Sequence, residues 1–492
     1  MTTPRTTTPA PHFRLTDGVV LGFAAELVLL PTGLITAAVL TRTLGPAGYG
    51  LFSVAATFIT WLAFTTTTLL ARAAVKFVSE ADDWRPVATG VLRWRFVVGS
   101  AAFVTVLLGA GAFARLLGAP ELAPYLRVFA VDLLLFNLAR AYRDVLTGRG
   151  RFRSVAAVSL ARWLTRLALI VALVRITGSI MGAVLGSVGA TVVELLVAER
   201  LGSVPIRGRS TIGWSRMWQV AGPLMVYGAA MQLFSKIDLF ALSALRGTSA
   251  DVGLYAAAQN LAVPPGLFAL SLAPLLLATL GRLRRAGAEA DARRVARDAL
   301  RVSIALVPLA ALIAGTADDL VRVVFGPSFA GSGQMLALLF AGGVALVVMS
   351  VSVSVVTAMD AQRMVSVLGI GVLAGALVGH LVLIPRYGAA GAAMVTAGMS
   401  VAGGLASVIL VHRLWHVNAY ATLIRGVLIA GPVYWLATLL PTSGAAALVA
   451  KLAVLSALVV AAFVAMGELD AGERRRLRAA WPPRRLVRAE SE

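Results

Sequence analysis

The sequence predicts an all-α polytopic membrane protein of about fourteen transmembrane helices. Three observations support this class. First, 59% of the 492 residues are hydrophobic and only 14% are charged, with a mean hydropathy of +0.86. A soluble chain of this size needs far more polar surface to cover its core. Second, apolar runs of ~18 residues or more recur from Gly18 to Met466, each long enough to cross ~30 Å of hydrocarbon as a helix. Third, these runs are apolar all round, whereas barrel strands alternate apolar and polar residues over about ten positions.

In chain order the expected spans are 18–41, 49–70, 94–116, 122–141, 154–175, 180–199, 219–244, 253–280, 299–318, 334–358, 364–384, 388–411, 424–440 and 444–466. The first follows the polar stretch MTTPRTTTPAPHFRLTD. It is too long for a signal-peptide core and lacks a small-residue cleavage site, so it reads as a retained helix. The longest internal connections are 72–93, 200–217 and 281–298. The last is expected to be helical, because ADARRVARDALR spaces its Ala, Val and Leu at helical intervals. The eighth span carries Gln259, Asn260, Pro264, Pro265 and Pro274, and its tandem proline must break or kink it. Such breaks often line cavities or serve as gates in transporters, although packing irregularity alone gives the same pattern. The 47 glycines suit close helix packing in lipid.

The net charge of +21 could suggest nucleic acid, but its distribution argues otherwise. With both termini in the cytoplasm, about 33 of the 44 Lys/Arg fall in cytoplasmic segments and about seven in external ones. The basic runs RDVLTGRGRFR, GRLRRAGAEADARR and ERRRLRAAWPPRR share one side, beside anionic lipid. The absence of cysteine excludes disulfides, thiolate metal sites and cysteine nucleophiles. His12, His380, His412 and His416 form no convincing ligand set. GAAGAAM resembles a glycine-rich loop only superficially, since no strand precedes it, and a nucleotide site is not expected. Neither a cofactor nor an enzymatic centre is expected.

Internal similarity organises the chain. LTRTLGPAGYGLFSVAA (40–56) resembles LSALRGTSADVGLYAAA (242–258), placing Gly50-Leu51-Phe52 on Gly253-Leu254-Tyr255. LLGAPELAPYLRVFA (116–130) resembles VFGPSFAGSGQMLALLF (324–340), and GSIMGA (178–183) resembles GAAGAA (388–393). The shared order implies a repeat of six spans, and an even number gives both copies the same orientation. The expected organisation is a polar N-terminus (1–17), six-helix lobes at 18–210 and 211–417, two extra helices within 418–466, and a basic tail (467–492). Like-oriented lobes should be related by a pseudo-twofold axis along the membrane normal, with a cavity between them.

LGPAGYGLFSVAATF followed by ARAAVKFVSEADD resembles the first external loop and second helix of the polysaccharide-transporter flippases. These belong to the multidrug/oligosaccharidyl-lipid/polysaccharide (MOP) exporter superfamily. KIDLFALSALRGTSADVGLYAAAQNLA resembles the family's seventh and eighth helices, and FGPSFAGSGQMLALLF and LVLIPRYGAAGAAMVTA resemble its later loops. The resemblance implies transport of a polyprenyl-pyrophosphate-linked oligosaccharide to the outer leaflet of the cell membrane by alternating access. It implies that substrate and membrane lipids as partners, with pathway glycosyltransferases or a polymerase as further candidates. Glu26, Pro31 and Gly33 depart from the family's plainer first helix.

The intramembrane charges are the candidate site. Arg162 and Arg166 share a helix face near mid-bilayer. Either they pair with carboxylates, Glu194 for instance, or they form a cationic floor for pyrophosphate, whose oxygens suit guanidinium forks. Lys236 is a third cavity candidate. Glu26, Asp132, Glu194, Asp238, Asn260, Pro264 and Pro265 are candidates for ion coupling or gating. For Glu26 the alternative is a structural pair with an arginine such as Arg162 or Arg166, and Asn137 is expected as a helix-to-helix hydrogen-bond donor. Two other functions stay open: a drug/cation antiporter of the same superfamily, which would favour carboxylates in its cavity, and a membrane scaffold for envelope assembly.

Overall fold

A computed structural model of the chain describes residues 25–204, 236–245, 248–440, 442 and 444–468. Every regular element among them is helical. Among the described residues, eleven stretches are long and apolar enough to cross a membrane. The first helix, α1 (Leu29–Glu80), has two arms that meet at Gly45, whose φ of +66° breaks the helical path. Pro46 follows and offers no N–H to restore it. Helix α13 (Gln362–Trp415) bends likewise at Gly388, φ +55°, three residues after Pro385. Four expected spans are therefore arms of two bent helices. The expected span 219–244 lies mostly outside the described residues.

The chain forms two compact units, Met1–Ala257 with Ile384–Ala389, and Ala258–Leu383 with Ala390–Glu492. In the first, α1 is followed by α2 (Trp84–Leu116), a short 3-10 turn (Pro120–Leu122), α3 (Ala123–Gly148), α4 (Phe152–Thr177) and α5 (Ile180–Gly202). Asp83 caps α2 through the Arg85 N–H at 3.1 Å, and Ser179 caps α5 through the Gly182 N–H at 3.2 Å. Helix α3 is central, packing on α1, α2 and α5. Gly99 lets α2 close on Asn137 and Leu134, and Gly186 lets α5 close on the Ile170 backbone.

Two shorter helices, α6 (Ile237–Leu245) and α7 (Ser249–Leu261), follow. A Cβ on Gly50 would strike the Ser249 carbonyl, and a Cβ on Gly253 would strike the Pro46 carbonyl. Gly50 and Gly253 are 203 positions apart, as are Pro46 and Ser249. The two copies of the GLF/GLY motif thus meet in a reciprocal crossing, the contact a local twofold produces.

The second unit holds α8 (Pro264–Arg285), α9 (Glu289–Ile304), α10 (Val307–Gly315), α11 (Ala317–Phe325), α12 (Gly333–Ala358), most of α13, α14 (Tyr420–Leu439) and α15 (Ala445–Ala465). The tandem proline ends the preceding helix at Leu261 and begins α8. Helix α9 carries the expected amphipathic segment. Its Ala292, Ala296, Leu300 and Ile304 pack with Leu280, Val351, Val355 and Val411. A second core, around Leu312, Val433 and Leu455, joins α10 to the C-terminal pair.

Two polar clamps fix that pair. Glu468 accepts from Arg301 Nε at 2.9 Å and the Thr422 hydroxyl at 2.5 Å, and it pairs with Arg425. Lys451 donates to Asp319 at 2.9 Å, and the Thr442 hydroxyl does so at 2.8 Å. Burial raises the carboxyl pKa of Glu468, but Thr422, Arg301 and Arg425 outweigh it and hold that pKa below the ordinary range.

Candidate functional site

The candidate site lies in the first unit, where α3, α4 and α5 bring charged side chains together inside the span. Along their helix axes, Arg143 lies about 8 Å from the arginine-rich α3–α4 turn, Arg140 about 12 Å, Arg162 about 15 Å and Arg166 about 21 Å. The result is a ladder of guanidinium groups rising toward mid-bilayer. Each would cost about 2.5–3.5 kcal/mol at the bilayer centre on insertion scales, so their company decides what they do.

Two rungs are paired. Arg143 forms an ion pair with Glu26, which also accepts from the Ser159 hydroxyl at 3.1 Å and Trp163 Nε1 at 3.4 Å. Glu26 thus has an arginine partner, and that arginine is Arg143 rather than Arg162 or Arg166. The expected fourth span stopped at 141, whereas α3 continues to Gly148 and carries Arg143 inward. Arg162 is paired with Glu194. Its guanidinium also stacks 4.5 Å from the Phe136 ring and 5.3 Å from that of Trp163.

The other two rungs are not paired. Arg140 stacks on Phe136 at 4.7 Å, and Arg166 is half-buried. Neither has an ion pair or a hydrogen bond among the described residues. Around the ladder, the buried atoms that lack a protein hydrogen-bond partner among the described residues include Nε of Arg140 and of Arg162, one carboxylate oxygen each of Asp132 and Glu194, and the Ser187 hydroxyl. Asp132 lies beside Thr191 and within the fields of Arg162 and Arg166. The ladder sets four cations against three carboxylates, leaving both donors and acceptors unspent.

The remaining candidates stand elsewhere. Asp238 is buried and accepts from the Tyr255 hydroxyl at 2.7 Å and the Leu239 N–H at 2.8 Å. Lys236, just before α6, is half-buried and makes no side-chain hydrogen bond or ion pair among the described residues. Asn260 and Pro264 are exposed, while Pro265 is buried beside Gly343. Asn137 donates to the Thr66 hydroxyl at 3.0 Å and the Leu133 carbonyl at 2.8 Å. Among the described residues, no group of three His, Cys, Asp or Glu side chains could hold a metal ion.

Sequence reasoning missed Arg140, Arg143 and the pair Arg95–Asp144. Arg95 is fully buried and donates to Asp144 at 2.6 Å and to the Thr66 and Thr67 carbonyls at 2.9 and 3.0 Å. The available signal was the arginine spacing in ARAYRD, with no helix breaker before Gly148. At the other end of the unit, a pocket of about 300 Å³ opens beside the Gly50–Gly253 crossing. Glu121, Ser243, Thr248 and Ser249 are among its lining residues.

The described residues are all helical, with charged side chains inside candidate membrane spans, and comparison with solved structures identifies the fold. MurJ, a lipid II flippase in an inward closed conformation, matches with a TM-score of 0.74 at 13% identity, over 94% of this chain and all of that one. An inward-facing MATE multidrug-resistance transporter of the MOP superfamily matches at 0.58 and 15% identity, over 84% and 95% of the two chains. A MOP-superfamily transporter from Pyrococcus furiosus, described as having a binding pocket of reversed polarity, matches at 0.55 and 14%, over 85% and 95%. No curated protein matches the chain at a significant level. Residues 15–276, more than half of the chain, match the family model described as polysaccharide biosynthesis protein, and the chain belongs to that family. It is a multi-pass membrane protein of the MOP transporter fold, and its structural neighbours are transporters rather than enzymes.

Proposed function

We propose that the chain is a flippase for polyprenyl-diphosphate-linked oligosaccharide. It carries that lipid from the cytoplasmic to the outer leaflet of the cytoplasmic membrane by alternating access, for cell-surface polysaccharide synthesis. Both termini are cytoplasmic in this reading. Glycosyltransferases or a polymerase of the same pathway supply or use the substrate. Family membership and the likeness to a lipid II flippase support the reading.

The observation that carries it is the pair of unpaired rungs, Arg140 and Arg166. Diphosphate oxygens accept from guanidinium forks, and such charge-assisted bonds strengthen away from water. Arg143 and Arg162 are held by Glu26 and Glu194, which leaves Arg140 and Arg166 to meet an arriving anion. Release of Glu26 or Glu194, or a change at Asp132 or Asp238, links anion movement to a proton or cation. Lys236 offers a further positive charge, and the break at Asn260, Pro264 and Pro265 offers a hinge.

A drug/cation antiporter fits less well, because Glu26 and Glu194 are neutralised by arginines and the surplus charge is positive. Sidedness of lipid-linked intermediates tests the proposal. Arg166→Glu should strand them on the cytoplasmic face, with the protein still folded and inserted. Normal sidedness in that variant overturns the assignment.

A further inference from the structure

The arginines at the basic ends of the helices are not equivalent. In the first unit, several are spent on the protein. Arg149 lies 3.9 Å over the Trp84 ring, and Arg151 donates to the Leu201 carbonyl at 2.9 Å. The hairpin from α8 into α9 differs. Arg284 is docked on the Ala358 carbonyl and Asp360. Arg293 pairs with Glu289 at 3.4 Å, and Arg301 belongs to the Glu468 clamp. Arg282, Arg285, Arg294 and Arg297 are all exposed, and none has a hydrogen bond or ion pair among the described residues.

Their height matters as much as their freedom. Helix α9 buries its apolar face in the second unit's core and turns its arginine-bearing face outward. The stretch Glu289–Gly315 is itself a candidate span. Arg297 and Arg294 lie about 6 and 10 Å along the axis from Arg301 toward its polar end. With the expected span 299–318 in the hydrocarbon, both fall at the level of lipid headgroups, within side-chain reach of phosphate oxygens. Asp291 and Asp298 share the helix with these arginines, so the patch is not uniformly basic. Around the hairpin, Arg282, Arg284, Arg285, Arg293, Arg294 and Arg297 outnumber Glu289, Asp291 and Asp298.

We infer that the α8–α9 hairpin is a binding surface for anionic phospholipid headgroups, with Arg282, Arg285, Arg294 and Arg297 as the phosphate contacts. The surface anchors the second unit to the charged face of the bilayer. It is separate from the ladder inside the first unit and does not depend on which substrate is carried.

The test uses the full chain in nanodiscs containing equal phosphatidylglycerol and phosphatidylcholine. After detergent extraction, lipid mass spectrometry measures the lipid retained by the protein. An interaction of about 1 kcal/mol per basic residue near a charged surface corresponds to a factor of ~5, so phosphatidylglycerol should be retained ~5-fold over its bulk share. Replacing the four arginines by Gln should bring the ratio close to bulk. Replacement by Lys should keep most of the enrichment, which covers the case in which the Gln variant does not fold. Molar salt should erase it. Arg149→Gln with Arg151→Gln should leave it intact. Absent enrichment in the native chain, enrichment that survives the Gln change, or equal loss in the Arg149/Arg151 variant each overturns the inference. If the native chain shows no lipid preference, an acidic protein becomes the better occupant. None of these readouts requires transport, so they stand apart from the flippase assignment.

Discussion

The two units treat charge in opposite ways. In the second, the clamp carboxylates are well matched: Glu468 by two arginines and a threonine, Asp319 by a lysine and a threonine. In the first, four arginines face three carboxylates and several buried polar atoms lack partners. Both arrangements sit in an apolar setting, where an unsatisfied group costs more than in water. Completed sets near helix ends hold the fold together. An incomplete set deep in the span is worth its insertion cost only if something else completes it. The first unit also contains its own control, since Arg95 and Asp144 form a closed set with the Thr66 and Thr67 carbonyls.

Mutations should separate the closed sets from the open one. Asp144→Ala leaves the Arg95 charge buried without its partner. Losing one partner of a buried pair typically costs 3–5 kcal/mol, about the whole margin of many folds. Thermal unfolding should therefore show a severe loss, and an unchanged midpoint would remove the distinction between closed and open sets. Arg166→Gln should behave differently, lowering flipping by ~10–100-fold, the equivalent of one or two charge-assisted bonds, with little loss of stability. Measured together, the two readouts separate a ligand contact from a packing role. If the chain were a scaffold, only folding would suffer.

Gly253→Ala comes next. Its methyl group meets the Pro46 carbonyl, an overpacking of about 1–3 kcal/mol. If, under the flippase proposal, this crossing closes the outward end, a cysteine at Ser243 should become more reactive to an impermeant thiol reagent in that background. Gly111→Ala, where nothing lies within 4 Å, should leave that reactivity unchanged. The smallest effect belongs to Glu468. Its folded-state pKa is depressed, so the clamp's stabilisation is full above the ordinary glutamate range and is lost as the pH falls through the lower folded value. Glu468→Gln should remove that part of the acid dependence, as read from thermal midpoints between neutral and strongly acidic pH.

Much of the fold was legible because lipid enforces simple rules: long apolar runs must be helices, and prolines and glycines mark where they bend. The matched glycines of the two motif copies were legible for a similar reason, since glycines are needed where two backbones nearly touch, as at Gly50 and Gly253. The site was only half legible. Arg162 and Arg166 stood out as charges in the middle of a run. Arg143 and Asp144 did not, because hydropathy ends a span where polar residues begin, although α3 continues past them to Gly148, and Arg140, next to the expected end at 141, read as a charge at the helix terminus. Pairing was harder still. Whether Arg162 is free or held by Glu194 depends on how α4 rotates against α5, and no spacing within either helix encodes that.

Under the proposed function, unpaired rungs hold the diphosphate while paired rungs hold the structure. Affinity for a polyprenyl diphosphate, measured on the full chain in nanodiscs, tests it most directly. The account predicts ~10–100-fold weaker binding for Arg140→Gln with Arg166→Gln, and a change within a few-fold for Arg162→Gln with Glu194→Gln, which removes a neutral pair. Native affinity in the first double variant, or equal losses in both, would contradict it.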